Sequence, residues 1–129
     1  MARPERKFDG FVPGRWTIDA YGEGGFRFAE MSHRGAILAA PAGVSILAAA
    51  SAQEIAPGHL HAILAGDSGV DFLIIGTGGQ PQPVAPDLRE ALRARRIALE
   101  VMTTPAAIRT YHVLAGEGRR VAAALIPVP

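Results

Sequence analysis

The chain has 129 residues, 49% of them hydrophobic and 19% charged, which is enough to bury one core and close to the size of a single domain. Thirteen Lys and Arg stand against 12 Asp and Glu, and aromatic residues make up 6%, so there is neither a field for phosphate backbones nor a supply of stacking platforms, and nucleic-acid binding is not expected. The absence of cysteine excludes disulfides, thiolate nucleophiles and cysteine metal sites, and fits a reducing, cytoplasmic location.

Residues 1–10 are basic at first but lack the apolar stretch of a secretory signal, and their acidic residues argue against a transit peptide. They are expected to form a flexible segment ahead of one domain over 11–129. Trp16-Thr-Ile-Asp-Ala-Tyr21 and Phe26-Arg27-Phe28 both alternate in polarity around Gly22-Glu-Gly-Gly25, which predicts a β-hairpin. Residues 35–53 carry no charge and approach the ~20 residues of a bilayer helix. Their alanine richness and the turn chemistry of Pro41-Ala42-Gly43 instead predict two short buried strands, Ala36–Ala39 and Val44–Leu47. No integral membrane segment is expected.

Leu60, Ile63 and Leu64 recur at helical spacing between Gly58 and Gly66, predicting a short helix. Phe72-Leu-Ile-Ile75 is a glycine-bounded apolar run, and Pro81-Gln-Pro-Val-Ala-Pro86 is a stiff loop. Leu88, Ala91 and Leu92 give the next helix, Pro86–Arg96, one apolar face, and Ile97–Met102 reads as a strand. Thr104 is the expected N-cap of the last helix, with Pro105 at its first position. Ala107, Ile108, Tyr111, Leu114 and Ala115 form its apolar face, and Gly116 is the expected left-handed stop. Val121-Ala-Ala-Ala-Leu-Ile126 has no polar side, as a strand covered on both faces requires. The fold class is α/β: a single domain with a central mixed, mostly parallel sheet, flanking helices and an N-terminal β-hairpin.

Gly76-Thr-Gly-Gly79 follows a buried strand, a setting in which backbone N–H groups can approach an anion. Pro81 occupies the third glycine position of a dinucleotide fingerprint, and the prolines delay the helix, so no nicotinamide cofactor is expected. Arg109 and His112 share one stripe of the last helix and, with Glu117, Arg119 and Arg120 in the next turn, could form an anion site or a partner-facing patch. The candidate ligand or partner residues are therefore Gly76, Thr77, Gly78, Gly79, Thr104, Arg109, His112, Glu117 and Arg119, and the alternative to an interaction protein is a small-molecule or anion-binding protein or enzyme that uses the Gly76–Gly79 loop. Gly66-Asp-Ser-Gly69 imitates a serine-protease nucleophile but lacks a positioned histidine and acid. His59 and His61 diverge on a helix, and His33 and His112 have no ligand-spaced partner, so neither metal nor catalytic set is expected.

The combination Gly76-Thr77-Gly78, Thr104-Pro105, Ala107, Thr110-Tyr111, Leu114, Glu117-Gly118-Arg119 and Ala124-Leu125-Ile126-Pro127 resembles the family of the mitochondrial complex I (NADH:ubiquinone oxidoreductase) assembly factor 3 and its small prokaryotic relatives of unknown function. The resemblance spans about Phe11 to Pro129. It implies an α/β fold with a central mixed sheet, no established enzymatic activity and, for the mitochondrial members, a role as an assembly partner. On that label the expected partners are respiratory complex I subunits or assembly intermediates, with any membrane association made through such a partner, and no cofactor is expected. The family often places cysteine and asparagine where this chain has Ile108 and His112, which excludes a thiol mechanism here.

Overall fold

A computed structural model describes residues 6–129. In chain order its elements are β1 (Phe11–Pro13), β2 (Ala20–Gly22), β3 (Gly25–Phe28), β4 (Met31–Arg34), β5 (Ile37–Ala40), β6 (Gly43–Ile46), α1 (His61–Leu64), β7 (Phe72–Gly76), α2 (Pro86–Ala94), β8 (Ala98–Met102), α3 (Thr104–Gly116) and β9 (Val121–Leu125). Two short 3-10 turns, Ala52–Glu54 and Pro57–Leu60, lead into α1. The expected helix between Ser51 and Gly66 is thus mostly 3-10, although Leu60 and Ile63 are buried as their spacing implied.

Six strands form one sheet in the order β1-β6-β5-β9-β7-β8, and β2-β3-β4 form a second. The large sheet is mixed. β7 runs parallel to both β8 and β9, while the pairings of β5 with β9, β5 with β6 and β1 with β6 are antiparallel. The parallel share is therefore confined to the strand–helix–strand–helix–strand part of the chain, where each return needs a crossover helix. β9 lies between β5 and β7, which explains its lack of a polar side: Val121, Ala123 and Leu125 face one core cluster, Ala122 and Ala124 the other.

One face of the sheet is covered by α1 and α2 through Ile63, Leu88 and Leu92. The other is covered by α3 through Ala107, Ile108 and Tyr111, and by the small sheet through Phe26, Phe28 and Met31. Fully burying side chains such as Leu73, Ile74 and Ile75 contributes about 1.5–3 kcal/mol each. Among the described residues, no helix is long and apolar enough to cross a membrane.

Several boundaries differ from the sequence expectation. The N-terminal hairpin is present, but β2 begins at Ala20 rather than Trp16, and a third strand, β4, extends it. Of the segment expected to be flexible, residues 1–5 lie outside the described residues. Arg6 donates to Glu30 O at 3.3 Å, Phe8 meets the Phe28 ring edge-on at 5.1 Å, and Gly10 O accepts from Ile46 N. α3 starts at Thr104 with Thr103 as its N-cap, because the Thr104 hydroxyl is used elsewhere. Its stop is Gly118 at φ +78°, not Gly116: Gly118 N bonds Ala115 O and Arg119 N bonds Leu114 O, which is the Schellman pattern.

Candidate functional site

The glycine segment is a packed joint between β7, the start of α3 and the end of β9. A Cβ at Gly76 would lie 2.8 Å from Thr104 Oγ1 and 2.9 Å from Thr104 Cα, so only glycine lets α3 come this close. Thr104 is fully buried, and its hydroxyl donates to Ile126 O at 2.6 Å while accepting from Gly78 N at 2.8 Å. Thr104 N donates to Gly78 O at 2.9 Å, Thr77 N to Met102 O at 2.8 Å, and Ile126 N to Gly76 O at 2.9 Å. The Thr77 hydroxyl closes the turn by donating to Gln80 O at 2.7 Å. Gly78 takes the left-handed conformation at φ +99°, where a Cβ would be strained. Buried amides must be paired, and here the N–H of Thr77 and that of Gly78 are consumed within the protein.

Gly79 alone of these four glycine-segment residues is exposed, and the outer side of the loop opens into a cleft of about 390 Å³. Ser51, Gln53, Thr77, Gln80 and Gln82 supply its polar side chains, and among the described residues no ionisable one is in its walls. Such a surface can hydrogen-bond but offers no general acid, base or activated nucleophile. Of these, Thr77 is a candidate from the sequence and the other four are not. Gln80 and Gln82 border the glycines, but Ser51 and Gln53 reach the cleft only through the tertiary fold.

The remaining candidates do not join it. Arg109, His112, Glu117 and Arg119 are absent from its walls. His112 Nε2 accepts from Ile18 N at 2.9 Å, tying α3 to the segment entering β2. Arg109 and Glu117 are exposed. Arg119 lies over the Phe72 ring at 5.9 Å. Glu117 is 13 positions past Thr104, about 20 Å along the axis at 1.5 Å per residue. The candidate list therefore divides into an internal joint with Gly79 at its exposed rim, a structural histidine, an exposed Arg109 midway along α3 and a charged turn at the far end of that helix.

Other motifs resolve into local structure. Ser68 Oγ donates to Ile63 O at 2.8 Å and accepts from Val70 N at 3.3 Å, which makes Gly66-Asp-Ser-Gly69 a turn. His59 Nδ1 accepts from Ala56 N at 2.9 Å. Burial lowers the pKa of His33, which packs edge-on against Phe8. His33 also borders a broad concavity of about 580 Å³ on the small sheet, beside Tyr21 and Arg34. Tyr111 is buried, and its hydroxyl makes no well-formed hydrogen bond among the described residues; burial raises its pKa, while the charge of nearby Arg15 and the hydrogen bonding its side chain offers lower it.

The family described as "Protein of unknown function (DUF498/DUF598)" matches residues 18–126. An uncharacterized protein of Rhodobacter capsulatus is 39% identical over 129 residues, covering 100% of this chain and 95% of its own length. The Mus musculus protein named NADH dehydrogenase (ubiquinone) 1 alpha subcomplex assembly factor 3 is 32% identical over 112 residues. That match takes in 87% of this chain but only 60% of the mouse protein. A crystal structure of a Bartonella henselae protein, described as an outer membrane protein, superposes with a TM-score of 0.84 at 41% identity, covering 91% of this chain and 98% of that one.

Proposed function

The chain belongs to the DUF498/DUF598 family of unknown function, and from that premise we propose that it is a non-catalytic interaction protein that assists the assembly of respiratory complex I. The partners are complex I subunits or assembly intermediates, and any membrane association is peripheral and made through them. The observation that carries the reading is the match to an assembly factor over 87% of this chain. The geometry agrees with it. The segment with the most enzyme-like sequence spends the backbone donors of Thr77 and Gly78 on internal packing, and among the described residues the cleft beside it has no ionisable group in its walls.

Deletion of the gene, followed by native electrophoresis of the membranes, tests this. Assembled complex I falls, and the affinity-captured protein brings down its subunits or intermediates. An unchanged level of the complex removes the partner assignment. So does a source cell that makes no such complex.

A second reading has one observation in its favour, the cleft at Gly79. Its amides and hydroxyls suit a neutral hydrogen-bonding ligand better than an anion, since Gly78 N–H is already bonded to Thr104. Saturable thermal stabilisation by a small molecule, lost in Gln80→Ala, would support that reading. At one hundred times its dissociation constant such a ligand adds about 2.7 kcal/mol.

A further inference from the structure

Parallel pairing brings together the chain segments that precede β7, β8 and β9. Phe72 is in register with both Ala98 and Val121, so Arg95-Arg96-Ile97 and Arg119-Arg120 arrive at the same end of the sheet. Asp71 sits between them, its N–H donating to Arg120 O at 3.0 Å and its carbonyl accepting from Ala98 N at 3.0 Å. Two strand spacings of about 4.8 Å then separate the start of β8 from that of β9, a distance of about 10 Å. Arg15 joins the group by donating to Arg119 O at 3.4 Å.

All five arginines are exposed. Arg95 donates to Leu64 O and Arg119 covers Phe72. Arg96 and Arg120 make no ion pair among the described residues, and neither does Asp71. The end of the sheet therefore presents guanidinium groups whose planar donor forks match carboxylates, in a chain whose net charge is only +1. With so small a net charge, attraction acts within a screening length of about 8 Å at physiological salt.

We propose that this arginine end of the sheet is the docking surface for an acidic segment of a protein partner. The acids at the same end decide between partner classes. Asp71 and Glu117 would face the charges of a continuous phosphate array, whether bilayer or nucleic acid. A peptide segment can instead place discrete carboxylates on Arg96 and Arg120 and leave those acids at the rim. The inference deepens the interaction reading by naming the chemistry of the partner, and it rests on that reading.

The test titrates the intact protein with a hexaglutamate peptide and follows the arginine side-chain N–H signals by NMR, with a neutral glycine–serine peptide of equal length as control. Hexaglutamate shifts Arg95, Arg96, Arg119 and Arg120, and the effect disappears near 1 M salt, where the screening length is about 3 Å. Arg96→Gln with Arg120→Gln weakens binding about tenfold, while Arg34→Gln, on β4, leaves it unchanged. Both altered positions are exposed, and an unchanged thermal midpoint confirms that the double variant is folded. Absence of shifts at these arginines overturns the proposal. So does equal binding by the double variant, or stronger association with phosphatidylserine vesicles than with the peptide. Capture experiments separate the two levels: if the double variant retrieves complex I subunits as well as wild type does, this surface is wrong and the interaction reading stands, whereas failure of wild type to retrieve any removes the reading itself.

Discussion

The parallel part of the molecule, β7 through β9, and the hairpin sheet β2–β4 solve the same backbone problem with different residues. In the parallel part, left-handed backbone falls on Gly78, on Gly118 and, at the end of α2, on Arg96, and the closest approach of helix to strand falls on Gly76. In the hairpin sheet the β2–β3 turn places Glu23 and Gly24 at positive φ, and the β3–β4 turn places Ala29 and Glu30 there, at φ 51° and 62°. Two-residue turns with both central residues at positive φ match strand twist, but they favour Asn or Gly. A side chain held there costs about 1–2 kcal/mol per residue. The hairpin sheet accepts this cost and buries Phe26, Phe28 and Met31 against the central sheet. Glycine marks the joint at Gly76 and the end of α3 in the first region, while its absence conceals the β3–β4 turn in the second.

The largest way to break the comparison is Gly76→Ala. The added methyl meets backbone rather than a flexible tip, so we expect a loss of about 3 kcal/mol, read from the urea midpoint at constant m-value. A loss below ~1 kcal/mol would mean that α3 can retreat from β7 and that the joint is loose. Next is Thr104→Val, which keeps the shape but deprives Gly78 N and Ile126 O of their partner; about 2 kcal/mol is expected. Thr104→Ser keeps both bonds, and by equilibrium unfolding it should retain most of that stability.

The two helix ends sharpen the contrast. α2 stops in the same Schellman pattern as α3, with Arg96 N bonded to Arg93 O and Ile97 N to Leu92 O, but the left-handed residue is Arg96 at φ 58°. Arg96→Gly should therefore stabilise, and Gly118→Ala destabilise, each by about 1 kcal/mol in thermal or urea unfolding. Equal signs for the two substitutions would show that backbone strain does not govern these ends.

Smallest is Tyr111→Phe, within about 1 kcal/mol of neutral, because among the described residues the buried hydroxyl makes no well-formed hydrogen bond, although Arg15 lies close to it. Burial raises the folded pKa of Tyr111 above its ordinary 10.0. As pH climbs past that value, the unfolded chain releases a proton that the folded chain retains, so stability falls until the folded group also ionises. The phenylalanine variant lacks this alkaline loss, which a pH series of unfolding midpoints would detect.

How much was legible follows the same division. β7, α2, β8, α3 and β9 could be placed from apolar periodicity and from Pro or Gly punctuation, and the buried face of α3 was read correctly through Ala107, Ile108 and Tyr111. β4 left no signal because Met31-Ser-His-Arg34 has little β-rich alternation and its entry turn, Ala29-Glu30, lacks the expected residues. β1 is three residues long and includes Pro13, which suits a sheet edge but not a strand prediction. At the candidate site, the sequence groups the glycines with Thr104 among the ligand or partner candidates, while the bonds that tie Thr104 to Gly78 and Ile126 leave no trace in it. A threonine hydroxyl before a helical proline reads as a cap, and only the strand exit at Ile126 shows that it bonds outward instead. His112 was placed on a polar stripe because its acceptor role depends on Ile18, 94 positions away.

Amide hydrogen exchange at Gly78 tests most directly whether the glycine segment is an internal joint rather than an anion cradle. The account predicts slow exchange in the free protein, near the rate set by global unfolding, unchanged by phosphate or nucleotide and accelerated in Thr104→Val. Fast exchange in the free protein that slows on adding phosphate would contradict it, because Gly78 N–H would then be waiting for a ligand rather than bonded to Thr104.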